Sequence, residues 1–558
     1  MKNKILLLSI SLIIALQLSA QISDDQYQKI DSLFVDWNKP NHPGGVIGIE
    51  KDGKIIFSKA YGLASLEYLT PNSTETIFNT ASVSKQFTAM GIVLLQDQGK
   101  LSVDDDIRKY LPELPDFRET VTIRHMLHHT SGLRSLHAML GLAGWRDDDS
   151  RTDEDLYRYM KNQRDLNFKT GEEFLYCNTG YILMAKIIEK VTGEKFSTWM
   201  KRSIFEPLGM IHTYVEDKYN RVVPNNATSY YANTEGFDRA VEYWGYVGSG
   251  NMHSTTSDLL KWLTNFYNPK SNWESSFKTI QTLDKLNNGM DNNYAFGVFI
   301  DEFNGENRIQ HAGGIGGFGS FICTYPNQKL SIVILTNFSS SSVSFKSNQV
   351  AKLLLENIIP SENNSTVSST KFIDLPNNQL EKFASSYWND KDNYARKIYL
   401  KNDTLRYFRS ENSESTLVPF GKNKFKMLDV DVNLTVEFEV RENEDKIMIV
   451  TIDDGSPIFS KAFVPVIPSK TDLSQYSGKF FSPELETTYT ISVVDDTLSW
   501  HHPRHGDYKI KMLKKDVLEG QSPFSVVKYK RDENGEIIGI LVSNGRVRNL
   551  WFEKQQKN

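Results

Sequence analysis

The chain has 558 residues, too many for one ordinary domain and enough for two to four. Hydrophobic residues make up 39% and charged residues 24%, which excludes a disordered or fibrous chain. A net charge of −5, with no basic stripe, leaves no electrostatic footprint for nucleic acid.

The N-terminus reads as a secretory signal peptide over residues 1–20. Lys2 and Lys4 give a positive start, an apolar run follows from Ile5 to Leu18, and Leu18-Ser19-Ala20 supplies a small-residue cleavage site. The competing reading is an uncleaved anchor, but the run is short for a bilayer span of about 20 residues. No cysteine follows it, which argues against a lipoprotein anchor, and the chain has no second spanning stretch. The expectation is a secreted or periplasmic protein with no stable membrane insertion after cleavage. Cys177 and Cys323 are the only cysteines, so a disulfide framework is excluded and both are read as free, buried thiols.

Residues 22–358 alternate between the two structural periods. Val46 to Ile49 and Lys54 to Phe57 flank Asp52-Gly53, a hairpin signal. A helix is expected from near Val83, with Phe87, Met90, Val93 and Leu94 on one face and Gly99 as its stop. Another carries Met184, Ile187, Ile188 and Val191, with Lys190 in its last turn and Gly193 after it. Strand patterns return at Gly319–Tyr325 and Leu330–Asn337. Strands at both ends and helices between them predict an α/β (α+β) domain: one sheet built from both chain ends, with an inserted helical lobe.

Ser361 to Ser369 is polar and reads as a linker, placed within 359–374. Beyond it lies an internal repeat. Leu380, Phe383 and Tyr387 correspond to Leu473, Tyr476 and Phe480, and Ile398, Leu400 and Asp403-Thr404-Leu405 to Ile491, Val493 and Asp496-Thr497-Leu498, at one constant offset. Each copy has a late turn, at Asp454-Gly455 and Asn544-Gly545. Two small antiparallel β-barrels of lipocalin-like kind are expected at 375–465 and 470–556.

Three stretches carry chemistry. The first is Ser82-Val83-Ser84-Lys85; S-x-x-K recurs at Ser275–Lys278 and Ser368–Lys371, which are assigned no role. Ser82 stands where a helix begins, and residues three apart share a helix face, so Lys85 can approach the hydroxyl. A serine hydroxyl is a weak nucleophile until a base takes its proton. The second is Tyr176-Cys177-Asn178 on a loop before a helix. A nearby ammonium favours the phenolate, which suits Tyr176 to proton transfer, and Asn178 offers a donor and an acceptor for a substrate amide. The third, His311-Ala312-Gly313-Gly314, precedes a strand pair. Gly313 lets substrate lie against backbone, the amides of Ser82 and Gly314 are candidates for an oxyanion hole, and His311 for orienting substrate. Each stretch has a plain structural alternative: an N-cap serine, a buried tyrosine and a strand-end histidine.

In this order the three stretches resemble the class C β-lactamases and their relatives, the D,D-carboxypeptidases, D-aminopeptidases and esterases. Thr122–Leu127 with His129–Leu133, Phe205–Met210, and Gly248-Ser249-Gly250 through Ser254-Thr255 to Asp258-Leu259 are similar to recurrent family segments. The resemblance covers about three-fifths of the chain. It implies a β-lactamase/transpeptidase-like antiparallel sheet between helices, with the site between the lobes, and the twin barrels resemble those appended to some D-aminopeptidase-like members. Two departures matter. His311-Ala312 stands where class C β-lactamases carry lysine and threonine, which removes a fixed positive charge and favours peptidase, amidase or esterase relatives. Cys177 replaces the usual serine; it is a rival nucleophile in principle, with no adjacent histidine to activate it.

His125, His128 and His129 have a spacing that could hold a metal, but lie in a family segment where histidine is structural; His501, His502 and His505 read as a surface loop. The expectation is therefore a Ser82 acyl-enzyme hydrolase using Lys85 and Tyr176, with no metal and no cofactor. Its partner is a small-molecule or peptide substrate, most plausibly a D-amino-acid peptide, an amide or an ester. The alternatives are a β-lactamase proper and a non-catalytic sensor that binds penicillin or wall peptide. The sequence does not set the oligomeric state.

Overall fold

The computed structural model describes residues 22–339, 341–355 and 371–556, apart from 411–412, 429, 431–433, 441–444, 453–456, 467 and 521. The expected signal peptide, the polar linker from Ser361 and the Asp454-Gly455 turn lie outside the described residues. Among the described residues, no helix is long and apolar enough to cross a membrane.

These residues form two units. Those up to His137 and from Arg146 to Leu355 make the first; Ala138–Trp145 joins the residues from Lys371 onward in the second. In the first unit, β1 (Gly45–Lys51) and β2 (Lys54–Tyr61) make the expected hairpin around Asp52-Gly53. A short β3 (Phe78–Asn79) leads to helix α1 (Ser84–Asp97), and α2 (Asn178–Thr192) follows in the helical part. Then come β4 (Met252–Ser254), α3 (Thr256–Thr264), and four strands, β5 (Phe299–Phe303), β6 (Glu306–Ile315), β7 (Phe318–Tyr325) and β8 (Leu330–Thr336), before α4 (Val343–Leu355).

The main sheet runs β5-β6-β7-β8-β1-β2, all antiparallel. Its centre joins the chain's two ends: Gly45 faces Thr336 and Lys51 faces Leu330. Every residue of β8 is buried, as its unbroken Leu-Ser-Ile-Val-Ile-Leu-Thr run requires of a strand covered on both faces. On one face, Ile47, Ile49, Ile332 and Ile334 pack with Trp37, Val350 and Leu355. This is the predicted sheet with a helical insertion.

Helix α1 departs from a one-faced pattern. Ser84 to Val93 and Leu95 are all buried, polar residues included, so it is a central helix rather than a half-exposed one. It crosses α2 closely at Gly91, where a Cβ would lie 2.8 Å from Ile188. Gly193 ends α2 at φ 73°, its N–H bonding to Glu189 O, as the sequence anticipates.

The second unit holds two closed, eight-stranded antiparallel barrels, β9–β16 between Ser385 and Phe463 and β17–β24 between Gly478 and Lys554. The repeat holds residue by residue. Tyr387 and Phe480 are buried on the first strands, Ile398 and Ile491 on the second, Leu405 and Leu498 on the third. The turns match as well: Asn402 and Asp403 have φ 50° and 56°, Asp495 and Asp496 47° and 56°, the two positive values that a tight hairpin turn demands. Residues 138–145 dock on the second barrel. Tyr489 Oη donates to Leu142 O (2.9 Å) and Asn544 Nδ2 to Ala138 O (3.3 Å). Gly144 lies flush against the His502 ring, where a Cβ would fall 2.0 Å from Cε1.

Candidate active site

Ser82 sits in the 3-10 turn Ala81–Val83 between β3 and α1. Ala81 has φ 49°, a left-handed conformation costing an L-residue roughly 1–2 kcal/mol. The surroundings over-determine it. Ala81 N donates to Asn79 Oδ1 (2.9 Å), and Asn79 Nδ2 donates to Asn251 Oδ1 (3.2 Å). Thr80 Oγ1 donates to Met252 O (2.8 Å), and Ser320 Oγ to Thr80 O (2.8 Å). Ser84 Oγ donates to Ala81 O (2.6 Å) and accepts from Met252 N (3.1 Å). Strain held this firmly aims one side chain.

Lys85 follows one helical turn later and is fully buried. Its Nζ donates to Ser82 Oγ (3.2 Å) and to Ser249 O (2.7 Å). The same ammonium lies 4.8 Å from the Tyr176 ring centroid and 5.6 Å from that of Tyr181, so both rings face a cation. The fold thus brings the phenol ring of Tyr176, remote in sequence, to the hydroxyl and amine that one helical turn already pairs. The Tyr176 ring packs against His129, centroids 4.2 Å apart and tilted at 44°. Asn178 begins α2; its amide donates to Ser135 Oγ (3.4 Å), and its enclosed Oδ1 takes no hydrogen bond among the described residues.

The glycine-rich stretch precedes the expected strand pair, β7 and β8, and is itself part of strand β6: His311 faces Ile322, Gly313 faces Ser320 and Gly314 faces Gly319 on β7. Gly313 is obligatory by contact. A Cβ there would sit 2.3 Å from Ser320 Oγ, 2.5 Å from Thr80 O and 3.0 Å from Ala81 Cβ. A Cβ at Gly314 would meet nothing within 4 Å. One glycine therefore locks the strand onto the Ser82 turn, and the next opens into space.

His311 is buried, with both nitrogens engaged. Ala312 O can only accept, so Nδ1 carries the proton toward it (2.5 Å) and Nε2 accepts from Tyr294 Oη (3.0 Å). Burial, then the Lys85 charge, push its pKa down to about 3. The ring is neutral, and it could reach substrate only by giving up Tyr294. Burial also pushes the phenols of Tyr181 and Tyr294 well above their usual range.

The three clustered histidines turn to different tasks. His125 closes a capping box with Thr122, His128 Nδ1 bonds Tyr294 O (2.8 Å), and His129 Nδ1 accepts from Cys177 N (3.1 Å). Both cysteines are buried and neither is in a disulfide, and Cys177 Sγ donates to Leu133 O (3.3 Å). The sequence places no histidine beside Cys177; the fold does, against its amide. Among the described residues, no three His, Cys, Asp or Glu side chains gather as metal ligands. The left-handed Ala81 and the partners Tyr181 and Tyr294 escape sequence reading. Asn251 and the Ser249 carbonyl had a signal, lying in the segment from Gly248 to Leu259.

The family profile described as Beta-lactamase matches residues 30–356. The chain is 30% identical over 338 residues to penicillin-binding protein 4* of Bacillus subtilis, covering 57% of this chain and 73% of that one. It is 26% identical over 302 residues to a D-aminopeptidase of Gluconobacter oxydans, covering 54% and 57%. Among solved structures, the octameric penicillin-binding protein homologue from Pyrococcus abyssi superposes with a TM-score of 0.55 at 25% identity, covering 78% of this chain and 99% of that one.

Proposed function

The chain belongs to the beta-lactamase family of serine hydrolases, and from that premise we propose that it is an exported peptidase, amidase or esterase acting through a Ser82 acyl-enzyme. Lys85 and Tyr176 share the proton leaving Ser82 Oγ as that oxygen bonds to the substrate carbonyl carbon. The amides of Ser82 and Gly314 receive the developing oxyanion. Tyr176 passes the proton to the departing amine or alcohol as its bond to carbon breaks. A water then gives one proton to Tyr176 and its hydroxyl to the acyl carbon, the bond from that carbon to Ser82 Oγ breaks to release the acid, and Tyr176 returns the proton to Oγ. Asn178 grips the substrate amide through Oδ1.

The observation that carries this reading is the 3.2 Å contact between Lys85 Nζ and Ser82 Oγ, in a site whose third element holds a neutral imidazole. A neutral His311 supplies no fixed charge for a β-lactam carboxylate, which favours D-amino-acid amides and peptides or esters over penicillins. The domain arrangement that goes with it is a hydrolase of 22–358, a linker of 359–374, and barrels at 375–465 and 470–556, behind a cleaved signal of 1–20.

A fluorophosphonate probe should label wild type and not Ser82→Ala. A panel of D-amino-acid amides, muropeptides, esters and cephalosporins should show amide or ester turnover well above cephalosporin turnover. Fluorescent-penicillin binding that Ser82→Ala leaves unchanged, without turnover, would favour the sensor.

A further inference from the structure

Just past the end of β6, the turn at Gly316 meets a carboxylate that the proposed mechanism leaves idle. Gly316, two residues past Gly314, has φ 50°, and a Cβ there would fall 1.2 Å from Glu242 Oε1. Glu242 is half-buried; its Oε1 is enclosed and takes no hydrogen bond among the described residues.

Glu242 lines a cavity of about 260 Å³ together with Glu216, Trp244, His253 and Phe318. That volume suits an end group of a substrate, below the roughly 300 Å³ at which pockets hold whole drug-sized ligands. Its walls connect to the elements that hold the Ser82 turn. His253 pairs with Asn79 on β3, Glu216 N bonds Asn251 O (2.8 Å), and a Cβ at Gly250 would lie 3.7 Å from Ile315 and 3.9 Å from Ala81 O.

The nearby cations already have partners. Arg151 binds Asp147 (3.2 Å) and covers Trp244, Arg221 binds Asp217 (2.7 Å), and Arg239 faces Glu67 (3.9 Å). His253 faces Glu216 (3.0 Å). Burial above all, with Glu216 and Asp147 adding, pushes the Glu242 carboxyl up to about 8, so a cation entering the cavity is what would draw it into the charged form.

The position also says which part of the substrate arrives there. Tyr176 packs beside His311, ring centroids 6.1 Å apart, at one end of the substrate-facing stretch, and Glu242 meets the other end at Gly316. A leaving group must lie by its proton donor, so the acyl portion extends toward Glu242.

We propose that Glu242 binds a primary ammonium carried on the acyl part of the substrate and selects free-amine esters and amides over their N-acylated counterparts. This rests on the serine-hydrolase reading above.

The test compares methyl esters of D-alanine and N-acetyl-D-alanine on wild type and Glu242→Gln, with fluorophosphonate labelling of Ser82 measured alongside. Wild type should favour the free amine at least tenfold in kcat/KM, and the variant, still labelled, should bring that ratio within twofold of one. A wild type without preference, or a preference that survives in the labelled variant, overturns the proposal. If Glu242→Gln takes no label, wild type alone decides. Benzylamine inhibiting N-acetyl ester turnover at least tenfold better than benzyl alcohol supports the proposal, and equal inhibition overturns it. A wild type that takes no label at Ser82 sinks the hydrolase reading instead.

Discussion

The amide of Cys177 donates to His129 Nδ1 at 3.1 Å, and the ring of that histidine lies under Tyr176, 4.2 Å between centroids. One side chain thereby sets both the backbone and the ring of the proposed proton carrier. His129→Ala would leave a buried N–H without its acceptor, at a cost of about 1–3 kcal/mol, and free the Tyr176 ring. We expect a lower melting temperature, and kcat falling by more than tenfold while KM changes little. His129→Asn, which keeps an acceptor, should recover part of the melting temperature and less of kcat.

Lys85 is fully buried, and its ammonium points at Ser82 and the Ser249 carbonyl. Lys85→Met keeps the stem and removes the charge. Activity should fall by roughly 10²–10⁴, the range expected when positioned proton transfer is lost. The melting temperature should fall little or rise, because a buried charge carries a desolvation cost that a thioether does not. A large drop in stability with activity preserved would assign Lys85 to structure alone.

His311 stays neutral in the folded protein down to about pH 3. The pH profile of kcat/KM from 5 to 8 should therefore keep its shape in His311→Gln. Stability behaves differently. The folded pKa lies below the unfolded value near 6.5, so the unfolded chain binds more protons between the two. His311's contribution is present above 6.5 and is lost as pH falls toward 3. Between pH 7 and 4 the melting temperature of wild type should fall more than that of His311→Gln.

Gly313→Ala would drive a Cβ into Thr80 O and Ser320 Oγ, the atoms that hold the Ser82 turn. We expect destabilisation of about 1–3 kcal/mol from overpacking and a near-complete loss of fluorophosphonate labelling. Gly314→Ala, facing open space, should keep its melting temperature within a few degrees, so the pair separates steric locking from general glycine loss.

The architecture was legible where one local signal repeats. The Asp52-Gly53 turn between β-rich runs, the stop at Gly193, and Asp403 matching Asp496 in turn geometry each rest on residues close together in the chain. Helix α1 was readable as a helix, but its burial on every side was not, because Ser84, Lys85 and Gln86 look like a solvated first turn until β4, α2 and the sheet close over them. Likewise residues 138–145 fall inside the 22–358 domain expected from sequence, yet they dock on the second barrel.

Sequence alone determined the order of the three chemical stretches, the family they point to, and the paired barrels, because side-chain type, turn chemistry and period are local properties of the chain. Tertiary structure alone decided that Lys85 Nζ is buried against the Ser249 carbonyl, that Ala81 is held left-handed, that His311 is uncharged, and that Glu242 closes on Gly316. Each of these depends on burial or on a hydrogen bond between residues far apart in the chain, and desolvation exists only once the packing that causes it has formed.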